Sequence, residues 1–214
     1  MQDWNKVYKD KGEIQFGVID LVKDSLKLLK ERDAKKVFDL CFGTGRHIVF
    51  LAENGFEVYG IDNSEKAKEM TKEKAKERNL KNVHLQVADM HELPYEDKFF
   101  DAIIAVYALE HNTLDELKKV ISELERILKS GGILVATLIS RKDPRYGQGT
   151  IIEPHTYNEI KDLAEYSVYH RFSDEKEVRE LFFNFKLFKI EEKEGFSKRR
   201  QMKCVHWEFV GEKK

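Results

Sequence analysis

Three acids and a pair of glycines carry most of the chemistry this chain offers. Asp39, Asp62 and Asp89 each close a short apolar run, and a Gly43-Thr44-Gly45 turn follows the first of them. Glycine has no Cβ, so such a turn brings backbone N–H groups close to a nucleotide-like ligand. Asp62 falls about twenty residues after Asp39, the spacing of the ribose-binding acid in nucleotide-binding βαβ units. A carboxylate there accepts from both ribose hydroxyls. A second group follows the run Ala102–Val106, which Asp101 opens: Tyr107 and His111, with Glu110 between them. An imidazole with an ordinary pKa of about 6.5 suits removal of a proton from an amine, hydroxyl or thiol. His111 is the candidate base and Tyr107 its neighbour at the acceptor; the alternative is that His111 only hydrogen-bonds the turn before Thr113.

The elements that must position these residues are legible as a βαβ series. Apolar residues at Ile14, Val18, Leu21, Val22, Leu26 and Leu29 predict one amphipathic helix over 14–31. Strands are predicted over 36–40, to Asp62, over 83–88, 101–106 and 133–138. Between them lie helices over 45–53, stopped by Asn54-Gly55, and from a Ser64 cap to about Arg78. A third runs from the Thr113–Glu116 capping box to about Leu128, ended by Gly131-Gly132. A last helix over 174–183, capped by Ser173, precedes strands over 185–191 and 203–210. The expected divisions are 1–31 as N-terminal cap and first helix, 36–139 as ligand-binding core, 140–172 as insertion, and 173–214 as C-terminal helix and strand pair.

This set resembles the class I S-adenosylmethionine-dependent methyltransferases, over residues 36–139 above all. The resemblance implies a Rossmann-like, doubly wound α/β sheet of seven strands, with a C-terminal antiparallel pair and a lid inserted after strand five. It implies S-adenosyl-L-methionine as cofactor. Gly43 and Gly45 would then hold the methionine part, Asp62 the ribose and Asp89 the adenine amino group. Met90 would lie on the adenine face, and Asp39 would act on the methionine amino group through water. Asn63 and Val106 complete the expected cofactor set, and Trp4 and Tyr8 would fold over it from the N-terminus; a plain aromatic staple on the first helix is the other reading. One position departs from the family's pattern: Cys41 stands where glycine is usual, which predicts a local shift of the loop without loss of binding. A dinucleotide-binding oxidoreductase would want a third glycine where Ile48 stands.

The insertion concentrates Arg141, Arg145, Tyr146, His155, Tyr157, Tyr166, Tyr169, His170, Arg171 and Phe172. Aromatics mixed with arginines and histidines suit a lid over a substrate pocket. Arg141, Tyr146, His155, His170 and Arg171 are accordingly expected to meet the acceptor. A loop and helix packed on the sheet edge is the competing reading. Arg46 and His47 open the helix after the glycine turn, facing either the cofactor carboxylate or the loop after strand four. His206 and Trp207 read mainly as packing.

Composition narrows the function classes. The 38 basic and 39 acidic residues leave a net charge of −1, so no overall basic field exists to hold nucleic acid. The cluster Lys198-Arg199-Arg200 with Lys203 is the exception, and it reads first as a solvated hairpin turn. Two cysteines far apart make neither a disulfide framework nor a metal site. No apolar run approaches a membrane span and no signal core opens the chain, so a cytoplasmic protein is expected. The resemblance implies methyl transfer, and the near-neutral charge and the aromatic, histidine-bearing insertion favour a small molecule as acceptor. RNA or protein methylation, a silent cofactor-binding subunit and a nicotinamide oxidoreductase are the alternatives.

Overall fold

The computed structural model describes residues 3–14, 17–160, 168–197 and 201–214. The parallel strands are β1 (Lys36–Leu40), β2 (Glu57–Asp62), β3 (Val83–Val87), β4 (Phe100–Ala105) and β5 (Leu128–Ser140). The antiparallel pair is β9 (Phe185–Ser197) and β10 (Met202–Lys213). Together they run β3-β2-β1-β4-β5-β10-β9, the seven expected strands, with β10 antiparallel to β5 from Ile133 to Ile139. Order reverses between β1 and β4, so the crevice of a doubly wound sheet opens above their C-terminal ends.

Alternation along β1 sorts the two layers. Val37 faces Val22 and Leu29 of α2 (Asp20–Glu31) and Ile48 and Leu51 of α3 (Arg46–Glu53). Phe38 and Leu40 face Leu117, Val120 and Leu124 of α5 (Leu114–Ile127). Both faces are covered, which is why the central strands read as unbroken apolar runs. Helix α5 begins at the predicted capping box: Thr113 accepts from the Glu116 N–H, and Glu116 accepts from the Thr113 N–H. Helix α4 (Glu65–Glu77) starts on Ser64 as predicted, the hydroxyl accepting from the Ala67 N–H.

Several expectations are corrected. The helix expected over 14–31 starts only at Asp20, after Gly17 at φ +71°, and a separate helix, α1 (Trp4–Lys11), precedes it and stops at Gly12. Ile14 and Val18 pack on the core but precede α2. The pair Gly131-Gly132 does not end α5, which stops at Ile127; both glycines lie inside β5. The last helix, α6 (Glu175–Leu181), is capped by Asp174 instead of Ser173, through a 2.9 Å bond from the Glu177 N–H.

The insertion adds three short strands to the seven: β6 (Thr150–Glu153), β7 (Thr156–Asn158) and β8 (His170–Ser173). They form an antiparallel ladder, and β8 joins the end of β5 in parallel through Ile139–Phe172 and Ser140–Ser173. Tyr166 and the Lys198-Arg199-Arg200 cluster fall outside the described residues. Among the described residues no helix is long and apolar enough to cross a membrane.

Candidate active site

The glycine turn is tied down by the second acid. Gly43 and Gly45 adopt φ +56° and +80°, where a side chain is strained. A Cβ at Gly45 would stand 2.3 Å from Thr71 Cγ2, and one at Gly43 would stand 2.8 Å from the Tyr8 hydroxyl. Gly43 N–H donates to Asp62 Oδ2 at 2.9 Å, and Ser64 N–H donates to Asp62 Oδ1 at 3.0 Å. One carboxylate therefore joins the loop after β1 to the start of α4. Burial raises its pKa to about 6 against the pull of backbone N–H groups from Gly43, Ser64 and Asn63.

Beneath the turn, Asp39 is buried and its Oδ2 has no hydrogen-bond partner. Burial pushes its pKa up to about 8, opposed by the Arg46 charge and reinforced by Asp62. His47 is buried and held well below its ordinary pKa for the same reason, so its ring is neutral. Arg46 makes one of its two expected contacts: its guanidinium lies 5.4 Å from the Tyr107 ring centroid, on the strand-four loop.

Above the turn lies a cavity of about 310 Å³. Cys41 forms its floor, with Asp62 and Asn63 on one side and Asp89 and Met90 beyond β3. Tyr107 and His111 also line it, as do Trp4 and Tyr8 of α1. The Trp4 ring meets His111 edge-on at 4.9 Å. Helix α1 is fixed there by Asn5, whose Oδ1 accepts from the Ser64 hydroxyl and the Lys66 N–H. The expected loop shift at Cys41 takes a definite form: the residue sits at φ +55°, the left-handed conformation in which glycine is unstrained.

The hydrogen bonds at His111 fix its tautomer. Its Nδ1 lies 2.8 Å from the Tyr169 carbonyl oxygen, which can only accept, so Nδ1 carries the proton and the lone pair of the neutral ring is on Nε2. Tyr107, also at positive φ, donates its N–H to Thr137 Oγ1 at 2.9 Å. Burial lifts its phenol to about 12, despite Arg46 nearby, so Tyr107 is neutral at physiological pH.

Other predicted residues lie elsewhere. Val106 packs in the core and does not line the cavity. His170 stands behind His111, ring to ring at 5.2 Å, without reaching the cavity. Arg141, His155 and Arg171 line a different cleft, and Tyr146 bonds His155 at 2.7 Å. Both arginines are committed to carboxylates: Arg141 to Asp174 and Glu177, and Arg171 to Glu153 and Glu177. Burying a guanidinium demands such partners, and these come from β6, α6 and the Asp174 cap of α6. Lys203 is paired with Glu194 across the β9–β10 hairpin at 2.6 Å.

The sequence reading missed His91, Asn112 and Glu116 as lining residues. His91 grips Asp89 through its backbone N–H (2.8 Å) and its Nδ1 (2.5 Å). Burial works against the charge on Asp89, but these bonds outweigh it and hold its pKa below the usual value. Asn112 donates to the Leu109 carbonyl and so presents Oδ1 to His91 Nε2 at 2.8 Å. An Asp followed two residues later by His was the available signal, since Asp readily accepts from the N–H two positions on.

Comparison with known proteins agrees with this geometry. The sequence model of a family described as "Methyltransferase domain" matches residues 37–132. The chain is 29% identical over 185 residues to a demethylmenaquinone methyltransferase of Oceanobacillus iheyensis, covering 80% of this chain and 77% of that one. A demethylmenaquinone methyltransferase of a Geobacillus strain is 32% identical over 53% of this chain, which spans about half (49%) of that relative's length. Among solved structures, a SAM-dependent methyltransferase from Methanosarcina mazei superposes with TM-score 0.77 at 20% identity, covering 92% of this chain and 99% of that one; the likeness is one of fold.

Proposed function

We propose that this chain is a class I S-adenosylmethionine-dependent methyltransferase whose acceptor is a small molecule. The residues present suit the cofactor. Gly43 and Gly45 form a left-handed turn packed under Tyr8 and Thr71, next to the cavity, and two carboxylates, Asp62 and Asp89, line the cavity itself. Buried Asp39 holds an oxygen without a hydrogen-bond partner. When bound, S-adenosylmethionine supplies a methyl group already activated by its sulfonium.

What this chain must add is orientation, exclusion of water and disposal of a proton. In this proposal Asp62 takes the ribose and Asp89, steadied by His91, the adenine amino group. Trp4 and Tyr8 keep water out. Tyr107 and His111 face the acceptor, and the lone pair on His111 Nε2 receives its proton.

The observation that carries the small-molecule reading is the cover. Trp4 and Tyr8 of α1 line the cavity, with Trp4 against His111, so the chain's own aromatic residues narrow the end where the acceptor would sit. An RNA strand or a folded protein would need an open approach and a basic surface. The near-zero net charge and the pairing of Lys203 with Glu194 argue the same way. The Oceanobacillus relative is itself named for methylating a small molecule.

Label tracing tests the proposal. Protein is incubated with methyl-labelled S-adenosylmethionine and a cell extract divided into small-molecule, RNA and protein fractions. Label is expected in the small-molecule fraction, followed by mass spectrometry. Label in RNA or protein would overturn the acceptor class. Cofactor binding without transfer to any fraction would favour a silent subunit, and preference for NAD an oxidoreductase.

A further inference from the structure

The cavity under α1 is the size of one ligand. At about 310 Å³ it stands at the lower edge of the roughly 300–1,000 Å³ typical for a single drug-sized molecule. A cofactor as large as S-adenosylmethionine leaves little of it for an acceptor. A second cavity, of about 250 Å³, adjoins it across one side chain: Tyr107 lines both. Its other walls come from the N-terminal side of α2 and from β9 and β10, including Ile19, Lys193, Cys204, His206 and Glu208.

This second space has the makings of a binding site. The His206 ring lies 4.8 Å from the Tyr107 ring, so two aromatic faces border it. Glu208 projects from β10 opposite Thr137 of β5, is only 8% exposed, and its Oε2 has no hydrogen-bond partner. The nearest cation, Lys193 Nζ, stands 3.6 Å from that oxygen on a half-exposed side chain. The two other carboxylates at the rim are already satisfied, Asp20 by Lys23 at 2.9 Å and Glu194 by Lys203 at 2.6 Å. A buried carboxylate oxygen without a donor is costly, and a ligand bearing one relieves it. Burial indeed raises the Glu208 pKa above the ordinary value, with Lys193 and Lys189 opposing.

We propose that this second cavity is the acceptor subsite, and that it takes a small aromatic molecule carrying a protonated amine or an N–H group. The ring lies against Tyr107 and His206, and the nitrogen donates to Glu208. From there the molecule extends past Tyr107, which lines both cavities, so that its reacting atom comes beside His111 and the cofactor in the first. The inference rests on the methyltransferase reading, since it is the cofactor that fills the first cavity.

The chain's two cysteines report the two cavities separately: Cys41 lines the first and Cys204 the second. The intact protein is alkylated with iodoacetamide, and labelling at each cysteine is followed by mass spectrometry. 2-Phenylethylamine should slow labelling at Cys204 and leave Cys41 unchanged; S-adenosylhomocysteine should do the reverse. 3-Phenylpropanoate, similar in shape but anionic, should protect neither. Glu208→Gln should demand at least about tenfold more phenylethylamine for the same protection, as expected for loss of a charge-assisted hydrogen bond. In that variant S-adenosylhomocysteine should still protect Cys41, which also reports an intact fold. No protection of Cys204 by the amine, equal protection by the carboxylate, or an unmoved Glu208→Gln would overturn the assignment. Failure of S-adenosylhomocysteine to protect Cys41 would instead strike the cofactor reading itself.

Discussion

Replacing Asp62 by asparagine separates cofactor recognition from folding, because two opposing effects nearly balance in the folded chain. The carboxylate accepts Gly43 N–H on one oxygen and Ser64 N–H on the other. An amide accepts on one atom only, so one buried N–H loses its partner, at about 1–3 kcal/mol. Against this stands the cost of burying the charge. Burial lifts Asp62 from an ordinary 3.8 to about 6. An acid with a raised folded value binds more protons folded than unfolded, so stability falls as pH rises from about 4 to about 6. The whole penalty, about 3 kcal/mol, is present at pH 7. Asparagine removes it, and the net change in stability should lie within about 1–2 kcal/mol of zero. Asp62→Ala strands both N–H groups and should be the less stable of the two. Cofactor affinity has no such offset. Losing a charge-assisted bond to a ribose hydroxyl costs about 2–3 kcal/mol, or roughly 30- to 150-fold in Kd. Titration calorimetry with S-adenosylhomocysteine, beside thermal unfolding, measures both. The wild-type affinity should also weaken as pH falls through about 6, and the Asp62→Asn variant should lack that inflection. An affinity within threefold of wild type would refute the role given to Asp62.

Three further outcomes follow from the same geometry. His111→Ala should lower turnover by about a hundredfold or more while leaving S-adenosylhomocysteine affinity nearly unchanged; unaltered turnover on the traced acceptor would remove His111 as the base. Cys41→Gly should relieve about 1–2 kcal/mol of left-handed strain against about 0.5–1 kcal/mol of added unfolded-state entropy, raising Tm by a degree or two; a lower Tm would show the Cβ packing to matter more. Asp39, pushed up to about 8, is protonated at pH 7 before the cofactor's ammonium arrives. Binding should then release a proton at pH 7, less so above about pH 9, and calorimetry in phosphate and Tris should give different apparent enthalpies. Equal enthalpies would contradict a neutral Asp39.

The strand–turn–helix at Asp39–Gly45, the acids closing β2 and β3, and the caps at Ser64 and Thr113 were all legible in the sequence. Each states a local requirement: a positive φ, a donor to satisfy, or an apolar face of fixed period. Residue types within a few positions meet such requirements, so the cavity wall formed by Cys41, Asp62, Asn63, Asp89 and Met90 could be singled out from the sequence. The break at Gly17, inside a pattern that suited one helix over 14–31, shows the limit of periodicity even locally.

The surroundings of the remaining candidate residues were decided by contacts between distant segments. Arg141 and Arg171 looked like substrate residues until the fold set Asp174, Glu177 and Glu153 beside them. Tyr8 covers Gly43 because Asn5 docks on the start of α4. Glu208 and His206 reach the far side of Tyr107 because β10 pairs with β5 in one register, and a slip of one residue would turn both to the other face. Local backbone demands are written next to the residues that meet them. The neighbours of a buried charge are fixed only when strands far apart in sequence come into register.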